Sequence, residues 1–289
     1  MTNMDKLSAR VAANGAVCLG LDTSVSYLPE GFAAKYNNPA DAVYAFNKRI
    51  IDATRGAVAC YKVQIAYYEA LGLDGMAAFS RTLKYIRGET GVPVITDCKR
   101  GDIKESAAMY AEAHLREGGD FESDFVTLNP YMGMDTLEPY APYLEAGKGC
   151  FVLLRTSNGG SRDIQGLPVA GGGFVYGAVA ERLARFGEKY IGSSGWSSAG
   201  MVIGATNADE AERLRAALGS TFMLIPGYGA QGGTARDAAR YFRNGGGGVV
   251  NSSRAILTAY KKHEDGAERF EHYALEEASR MAREIGEFL

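Results

Sequence analysis

The chain has 289 residues, of which 46% are hydrophobic and 22% charged, with a formal net charge of −3. That balance describes a soluble globular protein with an ample core, and it offers no basic field to capture nucleic acid. No apolar stretch approaches the ~18–20 residues that a membrane span needs, and the N-terminus MTNMDKLSAR lacks an apolar signal core, so a cytoplasmic protein without a membrane partner is expected.

A short helix is expected over residues 3–13, ahead of a first strand AVCLGLD (16–22). PADAVYAFNKRIIDAT follows, with Pro39 at a helix start and Val43, Phe46, Ile50 and Ile51 on one side. Strand-like runs recur at AVACYKV (57–63), PVITDCK (93–99), FVTLN (125–129), CFVLLRT (150–156) and GMVIGAT (200–206). After a helical stretch DEAERLRAALG come TFMLIPG (221–227) and GVVNSS (248–253). The last segment spaces Phe270, Tyr273, Met281, Ile285 and Phe288 at helical intervals. Most strand candidates are continuous apolar runs, as strands covered on both faces should be.

Eight strand–helix alternations without a proline-rich linker predict an α/β fold: one (β/α)8 TIM barrel as a single domain over residues 1–289. The N-terminal helix and a C-terminal helical extension would be packing elements. An open doubly wound sheet is the alternative, but it calls for a GxGxxG turn after the first strand, where LGLDTS stands. Cys18, Cys60, Cys98 and Cys150 each lie in an apolar run with no CxxC or Cys/His spacing, so buried free thiols are expected. His114, His263 and His272 are scattered over helical segments and support neither a metal site nor a histidine triad.

In such a barrel the chemistry sits at the C-terminal strand ends, with phosphate held by the last two loops. Read in order, those ends present Asp22, Lys62, Asp97 with Lys99, Asn129, Thr156–Ser157, PGYGAQGG and NSSR. Residues two apart on a strand face the same way, roughly 6.6 Å apart at Cα, so Asp97 and Lys99 should both face the mouth while Cys98 faces the helices. Gly101 would let the chain turn sharply afterwards. A solvated strand end with a local ion pair explains the pair alone, but less readily once Asp22 and Lys62 stand beside it. The glycines of PGYGAQGG and Arg254, just past strand eight, suit a phosphate dianion.

These segments resemble orotidine 5′-phosphate decarboxylase. DCKRGDI fits an Asp-x-Lys-x-x-Asp-Ile signature, and LGLDTS, YKVQIAYYEALG, TLNPYMGMD, LLRTSN and PGYGAQGG are similar to the longer bacterial subfamily. The matches run in order from about residue 16 to 256. The resemblance implies a homodimeric barrel that takes orotidine 5′-phosphate and uses neither metal nor organic cofactor. It implies a charged network of Lys62, Asp97, Lys99 and an Asp102 supplied by the partner chain. Asp22 and Lys62 would contact the ribose, Ser157 and Gln231 the pyrimidine and a closing loop, and Arg254 the phosphate. Asn129 and Gly232 would complete the substrate contacts. Ser106, also across the interface, stands where many relatives carry threonine, so its sugar contact keeps a hydroxyl but loses a methyl.

The chemistry explains why such a cluster would be needed. Loss of CO2 from C6 leaves an electron pair in the ring plane, beyond the reach of the π system. A fixed field remains, and Lys99 can stabilise the developing charge and then protonate C6. TSNGGSRDIQGLPVAGGGF after strand five and GYGAQGG are candidate lids, the former otherwise a disordered surface loop. Three rivals stand beside this reading. One is a magnesium-dependent sugar-phosphate decarboxylase or aldolase, which needs an acidic ligand where Lys62 stands. The others are a Schiff-base aldolase using Lys62 or Lys99, and a nucleotide-binding barrel without catalysis.

Overall fold

A computed structural model describes residues 1–205, 208–229 and 232–289; Thr206, in the sixth strand candidate, and Gln231 lie outside the described residues. Its eight strands run parallel and close on themselves in chain order, giving the expected (β/α)8 barrel. They are β1 (Val17–Gly20), β2 (Cys60–Gln64), β3 (Val94–Arg100), β4 (Phe125–Leu128), β5 (Gly149–Arg155), β6 (Ser197–Ile203), β7 (Thr221–Ile225) and β8 (Gly248–Ser252). β8 pairs with β1 through Val17–Val250 and Cys18–Asn251, which removes both sheet edges.

The helices are α1 (Asn3–Asn14), α2 (Pro39–Thr54), α3 (Ala66–Glu69), α4 (Gly72–Tyr85), α5 (Lys104–Leu115) and α6 (Ala141–Glu145). They continue with α7 (Val175–Gly187), α8 (Ala208–Ala217), α9 (Ala235–Ala239), α10 (Arg254–Leu257) and α11 (Phe270–Gly286). None of the described helices is long and apolar enough to cross a membrane.

Local chemistry accounts for the helix starts. Thr2 and Asp5 form a reciprocal capping box on α1, and the Asn38 side chain accepts from the Asp41 amide ahead of Pro39. The α2 residues Val43, Phe46, Ile50 and Ile51 are all buried as their spacing predicts. Phe270 of α11 stacks on Phe46 at 4.7 Å, docking the C-terminal helix on α2. Phe288 departs from the expectation, since α11 stops at Gly286 and its ring stays 44% exposed.

Two strand starts differ from the prediction by three residues. β2 begins at Cys60 instead of 57, and β6 begins at Ser197 instead of 200. Ser197 and Ser198 look too polar for a buried strand, yet the Ser197 hydroxyl donates to the Gly187 carbonyl at 2.7 Å, so burial costs it little. All four cysteines are buried and free, as the composition suggests.

α1 closes the barrel end opposite the strand termini that carry charge. Arg10 donates to the carbonyls of Arg55, Val58 and Ala59, and Asp5 accepts from the Ser194 amide. Above that end the interior is filled by rings set against glycines. A Cβ on Gly149 would come within 2.4 Å of the Phe125 ring, and one on Gly200 within 2.7 Å of Phe151. With this floor packed solid, polar side chains can collect only at the other end.

Candidate active site

Asp97, on β3, is buried, and each of its oxygens takes two hydrogen bonds. Oδ1 accepts from Lys99 Nζ at 2.6 Å and Thr127 Oγ1 at 2.8 Å. Oδ2 accepts from Lys62 Nζ and Gln64 Nε2, both at 2.9 Å. Lys62 Nζ also reaches Asp22 Oδ1 at 3.0 Å, and Ser253 Oγ donates to Asp22 Oδ2 at 2.8 Å. Two carboxylates and two ammonium groups from β2, β3 and the end of β1 therefore form one chain of contacts.

Burial alone would push the Asp97 pKa up, but Lys62 and Lys99 more than offset it and hold the carboxyl well below its usual range. Burial alone would likewise lower the Lys62 pKa, and Asp22 and Asp97 instead raise it above that of an ordinary lysine. Both groups stay charged, each because of the other. The lysines differ in depth: the Lys62 side chain is 5% exposed and that of Lys99 45%. Lys62 is locked between two carboxylates, while Lys99 projects into the mouth.

The route by which Asp97 and Lys99 meet is not the regular alternation expected of a strand. Thr96 pairs with Val126 and Arg100 with Leu128, so four steps along β3 match two along β4. This is a bulge, and Lys99 sits in it at φ 45°, a left-handed conformation that costs a non-glycine residue about 1–3 kcal/mol. Gly101 does not supply the sharp backbone, as its φ is ordinary. It is needed for close approach, because a Cβ there would lie 2.5 Å from the Asn129 carbonyl oxygen. Cys98 is buried, with its sulfur 3.6 Å from the Thr127 carbonyl.

These groups line a cavity of about 1130 Å³ at the C-terminal strand ends, bounded also by Asn129, Ser157, Pro226–Tyr228 and Arg254. The volume is ample for a nucleotide, given pockets of about 300–1,000 Å³ for small ligands. Asp22, Lys62, Asp97, Lys99, Asn129, Ser157 and Arg254 are thus brought together as expected. Asp102, Ser106 and Gly232 do not line the cavity; Asp102 accepts from the Ile103 amide, and Gly232 sits at φ 88° in a turn closed on Gly229. The segment after β5 is an ordered part of the wall. Ser161, Ile164 and Gln165 line the cavity, and Gln165 binds both the Thr156 amide and its hydroxyl at 2.9 Å.

Three residues of the site escaped the sequence reading: Gln64, Thr127 and Ser253. A signal existed for two of them. Gln64 stands two places beyond Lys62 and Thr127 two places before Asn129, so each shares the inward face of a residue already singled out. Ser253 lies in the quoted NSSR, but nothing in the sequence links it to Asp22. Among the described residues no group of three or more His, Cys, Asp or Glu is gathered as a metal site requires.

Comparison with known proteins agrees with this geometry. Residues 15–269 match the family described as orotidine 5′-phosphate decarboxylase / HUMPS. A curated orotidine 5′-phosphate decarboxylase of Clostridium perfringens (strain SM101) is 55% identical over 284 residues, covering 98% of each chain. That of Clostridium novyi (strain NT) is 52% identical over 284 residues, again covering 98% of each. The solved structure of Leishmania donovani OMP decarboxylase superposes with a TM-score of 0.75 at 30% identity, covering 98% of this chain and 100% of that one. With its barrel, its charged strand ends and relatives matching along nearly the whole length, the chain belongs to the orotidine 5′-phosphate decarboxylase / HUMPS family.

Proposed function

We propose that this protein decarboxylates orotidine 5′-phosphate to UMP, the last step of de novo pyrimidine synthesis, with residues 1–289 acting as one barrel domain. The observation that carries the mechanism is the difference between the two lysines on one saturated carboxylate. Lys62 is buried and bonded to both Asp22 and Asp97, whereas Lys99 is bonded to Asp97 and half exposed to the cavity. Lys99 is therefore the ammonium that can meet C6, give up its proton and regain one from water after the product leaves.

Asp97 aims Lys99 through their 2.6 Å ion pair, and its repulsion of a substrate carboxylate brought near it is relieved as neutral CO2 departs. An ammonium 4 Å from the forming charge contributes about 4 kcal/mol at an effective dielectric of about 20, before desolvation. That supplies part of the barrier reduction. The rest must come from phosphate, ribose and pyrimidine contacts that hold the base in register, which is the role given to Arg254, Asp22, Asn129, Ser157, Gln231 and Gly232. The loop 156–174, already bonded across the cavity wall, is one of the two candidate lids, GYGAQGG being the other. Asp102 and Ser106 are assigned to the site of a partner chain in a homodimer, and no organic cofactor is required. The chemistry suits a cytoplasmic enzyme.

The test is the loss of orotidine 5′-phosphate absorbance with purified protein in the presence of a chelator. Turnover that persists with UMP as product is expected. No turnover would refute the activity; turnover that stops with chelator and returns with magnesium would favour the metal-dependent rival.

A further inference from the structure

We infer that Thr127 is a positioning residue for the decarboxylation, its hydroxyl setting both the backbone of Lys99 and the orientation of Asp97; this rests on the reading of Lys99 as proton donor. Thr127 is the residue of β4 that faces the β3 bulge. Between the Thr96–Val126 and Arg100–Leu128 pairs, Asp97, Cys98 and Lys99 stand opposite Thr127 alone. An extra stretch of strand loses its ladder partners, and its amides need other acceptors. The Lys99 amide finds one in Thr127 Oγ1 at 2.9 Å, and the same hydroxyl donates its proton to Asp97 Oδ1 at 2.8 Å. One oxygen thus spans both charged residues of the bulge, using its donor and an acceptor lone pair at once.

A buried threonine need not behave this way. Thr54 and Thr82 donate to carbonyls one turn back on their own helices, at 2.7 and 2.8 Å. Thr96, next to the bulge, has a buried hydroxyl with no partner among the described residues, so the barrel tolerates an idle one. Thr127 instead crosses to the neighbouring strand. The other groups on Asp97 cannot replace it. Gln64 and Lys62 bind Oδ2 only, and neither touches the Lys99 backbone. Without the hydroxyl, the Lys99 amide loses its acceptor and its left-handed φ loses its restraint. The side chain then leaves its aim while the cavity and phosphate contacts persist.

Wild type, Thr127→Val and Thr127→Ser separate this role from simple packing. Valine keeps the branched shape and removes the hydroxyl; serine keeps the hydroxyl. The expected result for T127V is a kcat for orotidine 5′-phosphate lowered about 10–100-fold, as for a small misplacement of a catalytic group, with KM and UMP affinity within about threefold of wild type. T127S should recover kcat to within about threefold of wild type. Crystals of T127V should show Lys99 out of the left-handed region, while wild-type crystals keep it there. An unchanged kcat in T127V, equal losses in T127V and T127S, or Lys99 still at positive φ in T127V would each overturn the inference. If T127V does not fold, Thr127→Cys takes its place under the same criteria. Failure of wild type to turn over the substrate would refute the functional reading instead, and the crystal comparison would still decide Thr127.

Discussion

Lys62 and Lys99 present the same charge to the same carboxylate, and depth separates their roles. Lys62, with 5% of its side chain exposed, balances Asp22 and Asp97; Lys99, 45% exposed, projects further into the cavity that both line. Lys99→Ala is therefore expected to lower decarboxylation by about 10³-fold or more while UMP still binds within about tenfold, checked by turnover and by calorimetry. Near-normal turnover would remove Lys99 from the donor role. Arg254, exposed at the cavity rim, makes no ion pair among the described residues. Arg254→Ala should raise KM for orotidine 5′-phosphate about 10–100-fold and leave phosphate-free orotidine nearly unaffected. Equal losses with both substrates would contradict the phosphate assignment. The charge pattern itself should be stable near neutrality. Lys62, with a raised pKa, contributes stability fully present below 10.5 and lost as pH climbs past it; Asp97, with a depressed one, contributes stability present above 3.8 and lost below.

At the scale of elements, the β3–β4 pair and α5 after it decide most of the local character. The bulge converts a strand end into a charged hook, and the helix that follows buries His114. Burial, reinforced by the positive charge of Arg100, pushes the His114 pKa down to about 4 from 6.5. The unfolded chain therefore takes up a proton that the folded chain refuses. Stability from this residue is complete above pH 6.5 and lost as pH falls toward 4. The loss at pH 5 is on the order of 1–2 kcal/mol. Urea midpoints for wild type should fall between pH 7 and 5 by more than those of His114→Gln. Equal falls in the two proteins would show that other groups carry the acid sensitivity.

For the whole molecule, the barrel has a packed floor under α1 and an open, charged mouth at the other end. Around the segment that holds Asp102, Ile103, Met109, Tyr131 and Met132 are all more than half exposed. Apolar side chains of this size close to one charged loop suit a surface covered by a second copy. Hybrid dimers of Asp102→Ala and Lys99→Ala chains should then regain activity, since one of the two composite sites would be intact. A theoretical yield of about one quarter of wild-type turnover is expected from random exchange, measured after subunit mixing. Proven exchange without recovery would argue against a shared site.

The barrel was legible in the sequence because strands covered on both faces must be continuous apolar runs, and eight of them alternate with amphipathic segments. Asp22, Lys62 and Asp97 were legible for a related reason: a charge that ends an apolar strand has few places to go but the mouth. Thr127 and Gln64 were half visible through strand parity. What only the tertiary structure decided was the meeting of Asp97 with Lys99 through a bulge, the Ser253–Asp22 link, and the unequal depth of the two lysines. Spacing along a chain records periodicity. It does not record where one strand gains residues over its neighbour, since that depends on hydrogen bonds between segments far apart in sequence.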